Sequence, residues 1–352
     1  MEPKQISVLV CGHYGYRTNQ IDGQTIKTRV LKEAYADILG EANVRAVDSS
    51  FFPRSPARFL YETRKGFKEC SQVVMLPGIR GLQMFLPLFL RWKRKWDRPL
   101  QYVVIGGWLP QFLAKKSWLR HLCTQLDGIY VETAVMAENL SRLGLPNIGI
   151  LPNCRKFDRS QKRSFVATTI PMKLVFYSRV FREKGIEEAV AAVKHLNAED
   201  PAHPRVLLDV YGPVVETYER DFRRCLGKSQ HVKYRGVLSP DKVYDFLHVY
   251  DLMLFPTYYE GEGFSGAVLD AYIAGVPVVA SDWKYNREIV DEGKTGVLCQ
   301  ARSVEDIVSH VETFIANPAR VMEMRRHCLE KARSYHVEQM VQRLLHDASA
   351  RL

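Results

Sequence analysis

At 352 residues the chain exceeds what one hydrophobic core usually organises, so two domains are expected, and its 46% hydrophobic and 25% charged residues exclude a disordered or fibrous chain. The formal charge of +11 is one-sided: residues 1–150 hold 21 Lys and Arg against 12 Asp and Glu, an excess of 9, whereas the remainder hold 29 against 27. That imbalance predicts that the first half faces something anionic, be it phospholipid, a lipid-linked diphosphate or nucleic acid.

The opening MEPKQISVLVCG lacks a basic region, long apolar segment and cleavage site in succession, so a strand is expected over residues 6–10 and the protein is expected to be cytoplasmic. Further short β-rich runs at 73–76, 102–105 and 128–131 alternate with helix-period segments, the pattern of a parallel sheet covered by helices. The first strand leads into CGHYGYRTNQIDGQTIKTRVLKEA, a Gly-containing loop running into a helix that starts near Gln24 and would present free amides. Its Gly12-x-x-Gly15 spacing is not a dinucleotide fingerprint, and no acid follows at the expected distance, which disfavours a nicotinamide enzyme. His13 is a candidate base or hydroxyl partner; a histidine just after a strand also serves structure.

The apolar run 82–90 contains Gln83 and Pro87 and stops at Arg91, short of the roughly 20 residues a spanning helix needs. The longer segment GLQMFLPLFLRWKRKW joins this run to two Trp and to Arg91, Lys93, Arg94 and Lys95. Such a segment suits either a sheet-covering helix or an anionic membrane surface on the inner face of the cell membrane. Gly106-Gly107-Trp108 directly follows a strand, at its carboxyl end, where it suits a ligand-facing loop or a tight turn with a packed Trp.

After Leu151-Pro152-Asn153 comes the basic stretch CRKFDRSQKRSF, and then the alternation restarts. The expected domains are therefore 1–154 and 155–335, with a tail of about 336–352 long enough to cross back to the first. Strands are expected at 174–177, 206–211, 232–235, 252–255 and 276–280. Ser239-Pro240-Asp241 and Ser303-x-x-Asp306 read as helix starts, and the chain is helix-prone after Asn317-Pro318. The seven cysteines are scattered, with no Cys-x-x-Cys pair, and read as small apolar residues.

The strongest motif is FPTYYEGEGFSGAVLDAYIAGVPVVASDW, residues 255–283. A strand ends, an acidic Gly-rich loop follows, and a helix begins whose dipole and Phe264, Ser265 and Gly266 amides suit a diphosphate. Glu262 and Asp270, eight apart, could converge on sugar and ribose hydroxyls, which carboxylates accept well; acids at a helix start also simply suit its dipole. FYSRVFREKGIEEAVAAV offers Arg179 after a strand and Lys184-Gly185 five residues on. No Asp-x-Asp occurs in the chain, so the usual carboxylate pair for a divalent cation is missing and no metal or other cofactor is expected.

Glu262-x7-Asp270 followed by Gly275-Val276-Pro277-Val278-Val279-Ala280-Ser281 resembles the signature of the family 4 retaining glycosyltransferases, with Asp in place of the second Glu and Ser265 where Gly or Pro is common. The form YYEGEGF resembles the bacterial exopolysaccharide and capsule branch. The resemblance implies a GT-B fold, two Rossmann-like α/β domains facing across a cleft. It also implies transfer of a hexose, with retention, from a nucleotide diphosphate sugar to a lipid-linked or saccharide acceptor. In that scheme Arg179 and Lys184 clamp the diphosphate, Glu262 binds the sugar, Asp270 binds the ribose, and Gly23-Gln24 lies over the donor phosphates. Gly107 and Trp108 fall in the family's interdomain loop, and a diphosphate oxygen rather than a protein group takes the acceptor proton. An epimerase or sugar-phosphate synthase on the same fold is a rival enzyme reading. A basic nucleic-acid-binding or scaffold protein is a non-enzymatic one, but no nucleic-acid-binding signature supports it.

Overall fold

The computed structural model describes residues 6–16, 22–160 and 164–350. Parts of the first glycine loop (17–21) and of the basic joint (161–163), and the last two residues of the tail, lie outside the described residues. The chain divides into two compact units, Met1–Lys156 with Tyr335–Leu352, and Phe157–Ser334.

The first unit is built on a six-stranded sheet in the order β2-β1-β3-β4-β5-β6. Its strands are β1 (Val8–Gly12), β2 (Val44–Asp48), β3 (Gln72–Leu76), β4 (Leu100–Val103), β5 (Gly128–Val131) and β6 (Ile148–Ile150), paired in parallel throughout. The connecting helices are α1 (Gly23–Leu39), α2 (Pro56–Glu69), α3 (Ile79–Trp96), α4 (Leu109–Ala114), α5 (Ser117–Cys123) and α6 (Ala134–Arg142). Every residue of β1, β3, β4 and β5 is buried, as continuous apolar strands must be when helices cover both faces. The strand order reverses between β1 and β3, so the loops at their carboxyl ends diverge there and leave a crevice.

The second unit repeats the architecture in the order β12-β11-β10-β7-β8-β9, again all parallel. Its strands are β7 (Met172–Tyr177), β8 (Val206–Tyr211), β9 (Val232–Gly236), β10 (Leu252–Phe255), β11 (Val278–Ser281) and β12 (Gly296–Cys299). Its helices are α7 (Ile186–Leu196), α8 (Glu219–Leu226), α9 (Val243–Leu247), α10 (Gly266–Ile273), α11 (Asn286–Ile289), α12 (Val304–Ala316) and α13 (Ala319–Arg333). Leu174, Phe176, Leu208 and Val210 point from the sheet into a core shared with Val190, Val193, Val311 and Phe314 of α7 and α12. Here the switch in strand order falls between β7 and β10.

The last helix, α14 (Val337–Ser349), returns to the first unit, where Val341 and Leu344 join the core formed by Leu31 and Tyr35 of α1. Buried amides hold it: Gln101 donates to the Leu344 carbonyl (2.9 Å) and to the Tyr130 hydroxyl (3.0 Å), which donates to Asp347 (2.9 Å).

The α/β class with helix-covered parallel sheets expected from the alternation is what folds. Strands β2, β6 and β12 were not expected from the sequence. β2 carries Arg45 on a half-exposed edge, and β6 and β12 have only 3 and 4 residues, too few to show a period. Ser239-Pro240-Asp241 starts no helix: the Ser239 hydroxyl turns to the Asp241 carboxylate, residues 240–242 form a turn, and α9 begins at Val243. Ser303 does cap α12, accepting from the Asp306 amide at 3.1 Å. The seven cysteines are free thiols, six of them buried, and burial pushes those of Cys11, Cys123 and Cys299 up to about 12.

A wholly buried ion pair ties α1 to the sheet of the first unit. Lys27 Nζ lies 2.8 Å from Glu132 just beyond β5, and the other Glu132 oxygen accepts from the Gly106 amide at 3.1 Å. Removing one member of such a pair strands a charge in a dry interior, so Lys27→Met is expected to cost about 3–5 kcal/mol. Urea unfolding should also show that Lys27→Met/Glu132→Gln, which is uncharged and keeps an acceptor for Gly106, recovers most of that loss.

Candidate active site

The carboxyl ends of β7 and β10 carry the two motifs that stand apart in sequence. Beyond β7 the chain passes Arg179, makes one tight 3-10 turn at Arg182–Lys184 and enters α7 through Gly185. Beyond β10 it forms the loop 256–265 and enters α10. The two loops are fastened along their backbones: the Tyr258 amide donates to the Glu183 carbonyl (2.8 Å), and the Thr257 hydroxyl oxygen lies 3.3 Å from the same carbonyl. Gly185 has a positive φ of 79°, and a Cβ there would stand 2.2 Å from the Pro256 carbonyl oxygen, so only glycine allows this approach.

The result is a buried ion pair between the loops. Lys184 Nζ is 2.6 Å from Glu262 Oε2, with each side chain 8% exposed. Thr257 donates to the same carboxylate oxygen at 3.0 Å, and Thr257 itself is wholly buried. The ammonium also lies 5.1 Å from the centre of the Tyr259 ring and 5.8 Å from that of Phe255. Glu262 Oε1 accepts no hydrogen bond among the described residues, and Lys184 donates to no group but Glu262 among them, so both keep capacity for a ligand.

Around this pair the loop is braced from β11. Trp283 donates its indole N–H to the Tyr259 carbonyl (3.0 Å), the Ser281 hydroxyl bonds the Thr257 carbonyl, and Lys284 pairs with Glu260. Phe181 meets Tyr259 edge-on at 5.4 Å. Arg302 lies over the Tyr258 ring at 4.4 Å, and burial pushes that phenol up, so it stays a neutral hydroxyl.

The other residues singled out from the sequence fall as follows. Arg179 is exposed at the β7 end, its guanidinium over the Phe181 ring at 5.5 Å, with no ion pair among the described residues. Ser265 precedes α10 without capping it through its side chain, and the amides of Ser265 and Gly266 meet no acceptor among the described residues. Phe264 is buried against this turn. Asp270 is buried in the second turn of α10, where the Tyr244 hydroxyl of α9 reaches it at 3.4 Å.

In the first unit Gln24 donates to the Leu76 carbonyl at the end of β3 (3.3 Å), beside Gly23 at the start of α1. The expectation of free amides at that start is corrected in part. Asp22 caps the helix by accepting from the Thr25 amide (2.9 Å), and Thr25 returns the bond to Asp22. His13 is half-buried just after β1. Gly107 is buried, and Trp108 donates to the Ile105 carbonyl (2.9 Å) and stacks edge-on with Phe112, so its ring is anchored in its own turn. Lys93 corrects the expected basic cluster: it pairs with Asp127 (2.8 Å) and donates to the Gln125 carbonyl, leaving Arg91, Arg94 and Lys95 exposed. Thr257, Tyr259 and Trp283 lay within the 255–283 motif without being singled out as site residues, and Tyr244 gave no signal in the sequence.

Residues 158–335 match the family model described as glycosyl transferases group 1. The chain belongs to the group 1 glycosyl transferases. Its second unit is the part that carries the match. Among curated proteins this member is 27% identical to a glycogen synthase of Mycobacterium tuberculosis over 230 residues, 63% of this chain and 53% of that protein. It is 31% identical over 175 residues to a Streptococcus gordonii UDP-N-acetylglucosamine–peptide N-acetylglucosaminyltransferase subunit, covering 47% of this chain and 33% of the other. The chain thus spans about half the length of the curated glycogen synthase it matches. In fold it is similar to the Anabaena protein HepE, crystallised with UDP: TM-score 0.74 at 14% identity, covering 98% of this chain and all of the other. It is also similar to the sucrose-phosphate synthase of Thermosynechococcus elongatus, with a TM-score of 0.72, 14% identity and coverage of 96% and 97%. This group 1 member therefore has the GT-B type of architecture, two parallel six-stranded sheets with helices.

Replacing Gly185 by Ala should force the β7 and β10 loops apart. The clash with Pro256 adds to the roughly 1–2 kcal/mol cost of a left-handed Ala, so the thermal midpoint is expected to fall by several degrees. Calorimetry of the purified variant measures this.

Proposed function

We propose that the protein is a retaining, metal-independent hexosyltransferase that uses a nucleotide diphosphate sugar and glycosylates a lipid-linked or saccharide acceptor in cell-surface polysaccharide biosynthesis. The observation that carries the reading is the Lys184–Glu262 contact at the carboxyl ends of β7 and β10, the switch point where open α/β sheets take their ligands. The printed titles of structural neighbours add weight: HepE was crystallised with UDP and with UDP-glucose.

Each group has a part in this reading. Arg179 and Lys184 neutralise the diphosphate as its bond to the sugar breaks, and the Ser265 and Gly266 amides with the α10 dipole add fixed positive potential. Glu262 Oε1 accepts from a hydroxyl of the transferred hexose while Oε2 stays with Lys184 and Thr257. That division keeps the carboxylate aimed, since one oxygen is already pinned by two donors. Asp270 serves the ribose, Gly23 and Gln24 lie over the donor phosphates, and His13, Gly107 and Trp108 belong to the acceptor side. No protein nucleophile takes part; the departing phosphate oxygen accepts the acceptor proton, so sugar and proton move on one face of the ring.

Arg179→Ala and Glu262→Gln are each expected to reduce turnover by about 10²–10³-fold, the usual cost of removing one fixed transition-state contact. Steady-state rates with a panel of nucleotide sugars would check this, and near-normal turnover in both variants would place the site elsewhere. The same panel without acceptor separates transfer from epimerisation, which would isomerise the donor alone.

In this reading the acceptor lies at an anionic membrane surface, reached through Arg91, Arg94 and Lys95 at the end of α3. The apolar face of α3, with Leu82, Phe85, Leu86 and Phe89, is buried in the first unit, so attachment would be electrostatic. No helix among the described residues is long and apolar enough to cross a membrane. Charge reversal at the three cations should abolish sedimentation with phosphatidylserine-containing vesicles at low salt, at about 1 kcal/mol per charge.

A further inference from the structure

The second unit has another concave site, on one face of its sheet. A cavity of about 270 Å³ is lined by Lys173, Asp209, His231, Lys233, Arg235 and Tyr250 with neighbouring aliphatic groups. The pairings Lys173↔Leu207 and Asp209↔Lys233 set these side chains on one face of β7, β8 and β9, the face turned away from α7 and α12. Lys173 is four residues before Tyr177, the end of β7, so its side of the cavity lies about 13 Å down the strand from the carboxyl end, while Arg235, one residue before the end of β9, lines the nearer side.

Charge is what makes this cavity informative. Its only acid, Asp209, is already committed: Arg235 Nε donates to one oxygen (2.9 Å) and the Tyr250 hydroxyl to the other (2.8 Å). Lys173 and Lys233 make no ion pair among the described residues. Three permanent cations against one carboxylate leave an excess of two positive charges, with the His231 ring beside them. Lysines on an edge strand such as β9 often serve only to deter pairing with other chains. Lys173 is different, because β7 is an inner strand, and inner strands of parallel sheets are normally covered on both faces. An uncovered, cation-lined hollow over inner strands fits a small dianion whose apolar part rests on the aliphatic wall.

We propose that this hollow binds the phosphate group of a small phosphorylated metabolite, at a site separate from the donor-binding end of the same sheet. Lys173 and Lys233 flank the phosphate, and the Arg235–Asp209–Tyr250 chain fixes the floor. The size of the hollow, at the low end for small-molecule pockets, excludes a nucleotide sugar and suits a hexose phosphate or free phosphate. This inference does not depend on the reaction carried out at Glu262.

Isothermal titration of the full chain with inorganic phosphate and with glucose 6-phosphate, at ionic strength held constant with chloride, tests it. Saturable binding is expected, weakened about tenfold or more in Lys173→Met/Lys233→Met. It should be restored in Lys173→Arg/Lys233→Arg and unchanged in Lys184→Ala. Tighter binding of the hexose phosphate would identify a sugar phosphate as the ligand; equal binding would identify free phosphate, and either supports the site. Circular dichroism of the Met variant separates loss of binding from loss of fold, and if that variant unfolds, the charge-reversed Lys233→Glu is titrated in its place. Absence of saturable binding in the unmodified chain, or binding that survives the Met substitutions and disappears in Lys184→Ala, would overturn the proposal.

Discussion

The second unit depends on one desolvated contact, the ammonium of Lys184 against the carboxylate of Glu262. In a sheet whose strand order reverses between β7 and β10, the loops leaving those strands are driven to opposite sides, and nothing in the strands themselves decides how far apart they stand. The pair decides it, together with the Glu183 carbonyl shared by Tyr258 and Thr257 and the close approach at Gly185. Stripping water from two charges costs about as much as their attraction returns, so the contact contributes little net stability. Its physical effect is directional: each partner keeps one side bound and presents the other.

The first unit solves a related problem with different chemistry. Lys27 and Glu132 are sealed entirely, and the second carboxylate oxygen is spent on the Gly106 amide, so this pair holds backbone and retains no capacity for a ligand. A buried pair whose oxygens are all engaged is a strut, whereas one with an oxygen to spare can be a receptor. The comparison explains why Glu262 reads as functional although both pairs have similar distances.

Much of this architecture was legible in the sequence because its causes are local. Buried parallel strands are continuous apolar runs, and β5 and β10 show this with the bounds expected of them. The types and positions of Glu262, Lys184 and Arg179 were also visible, since acids and cations beside glycines at strand ends are rare enough to notice. What could not be read was how the side chains share partners. Thr257 looks like any threonine until its hydroxyl is found between the Glu183 carbonyl and the Glu262 carboxylate, and Lys93 looks like a free surface cation until Asp127 meets it. Glu183 and Asp127 lie tens of residues from the side chains they meet, brought near only by the packed sheet.

The sulfur chemistry of the chain has a practical side. With six thiols enclosed and the half-buried Cys225 pushed up to about 11, little thiolate exists near neutral pH, and thiolate is the form that alkylating reagents attack. A single cysteine engineered onto the surface of each unit would therefore react first. Spectroscopic probes attached there would report the distance between the two sheets in solution without any native cysteine having to be removed.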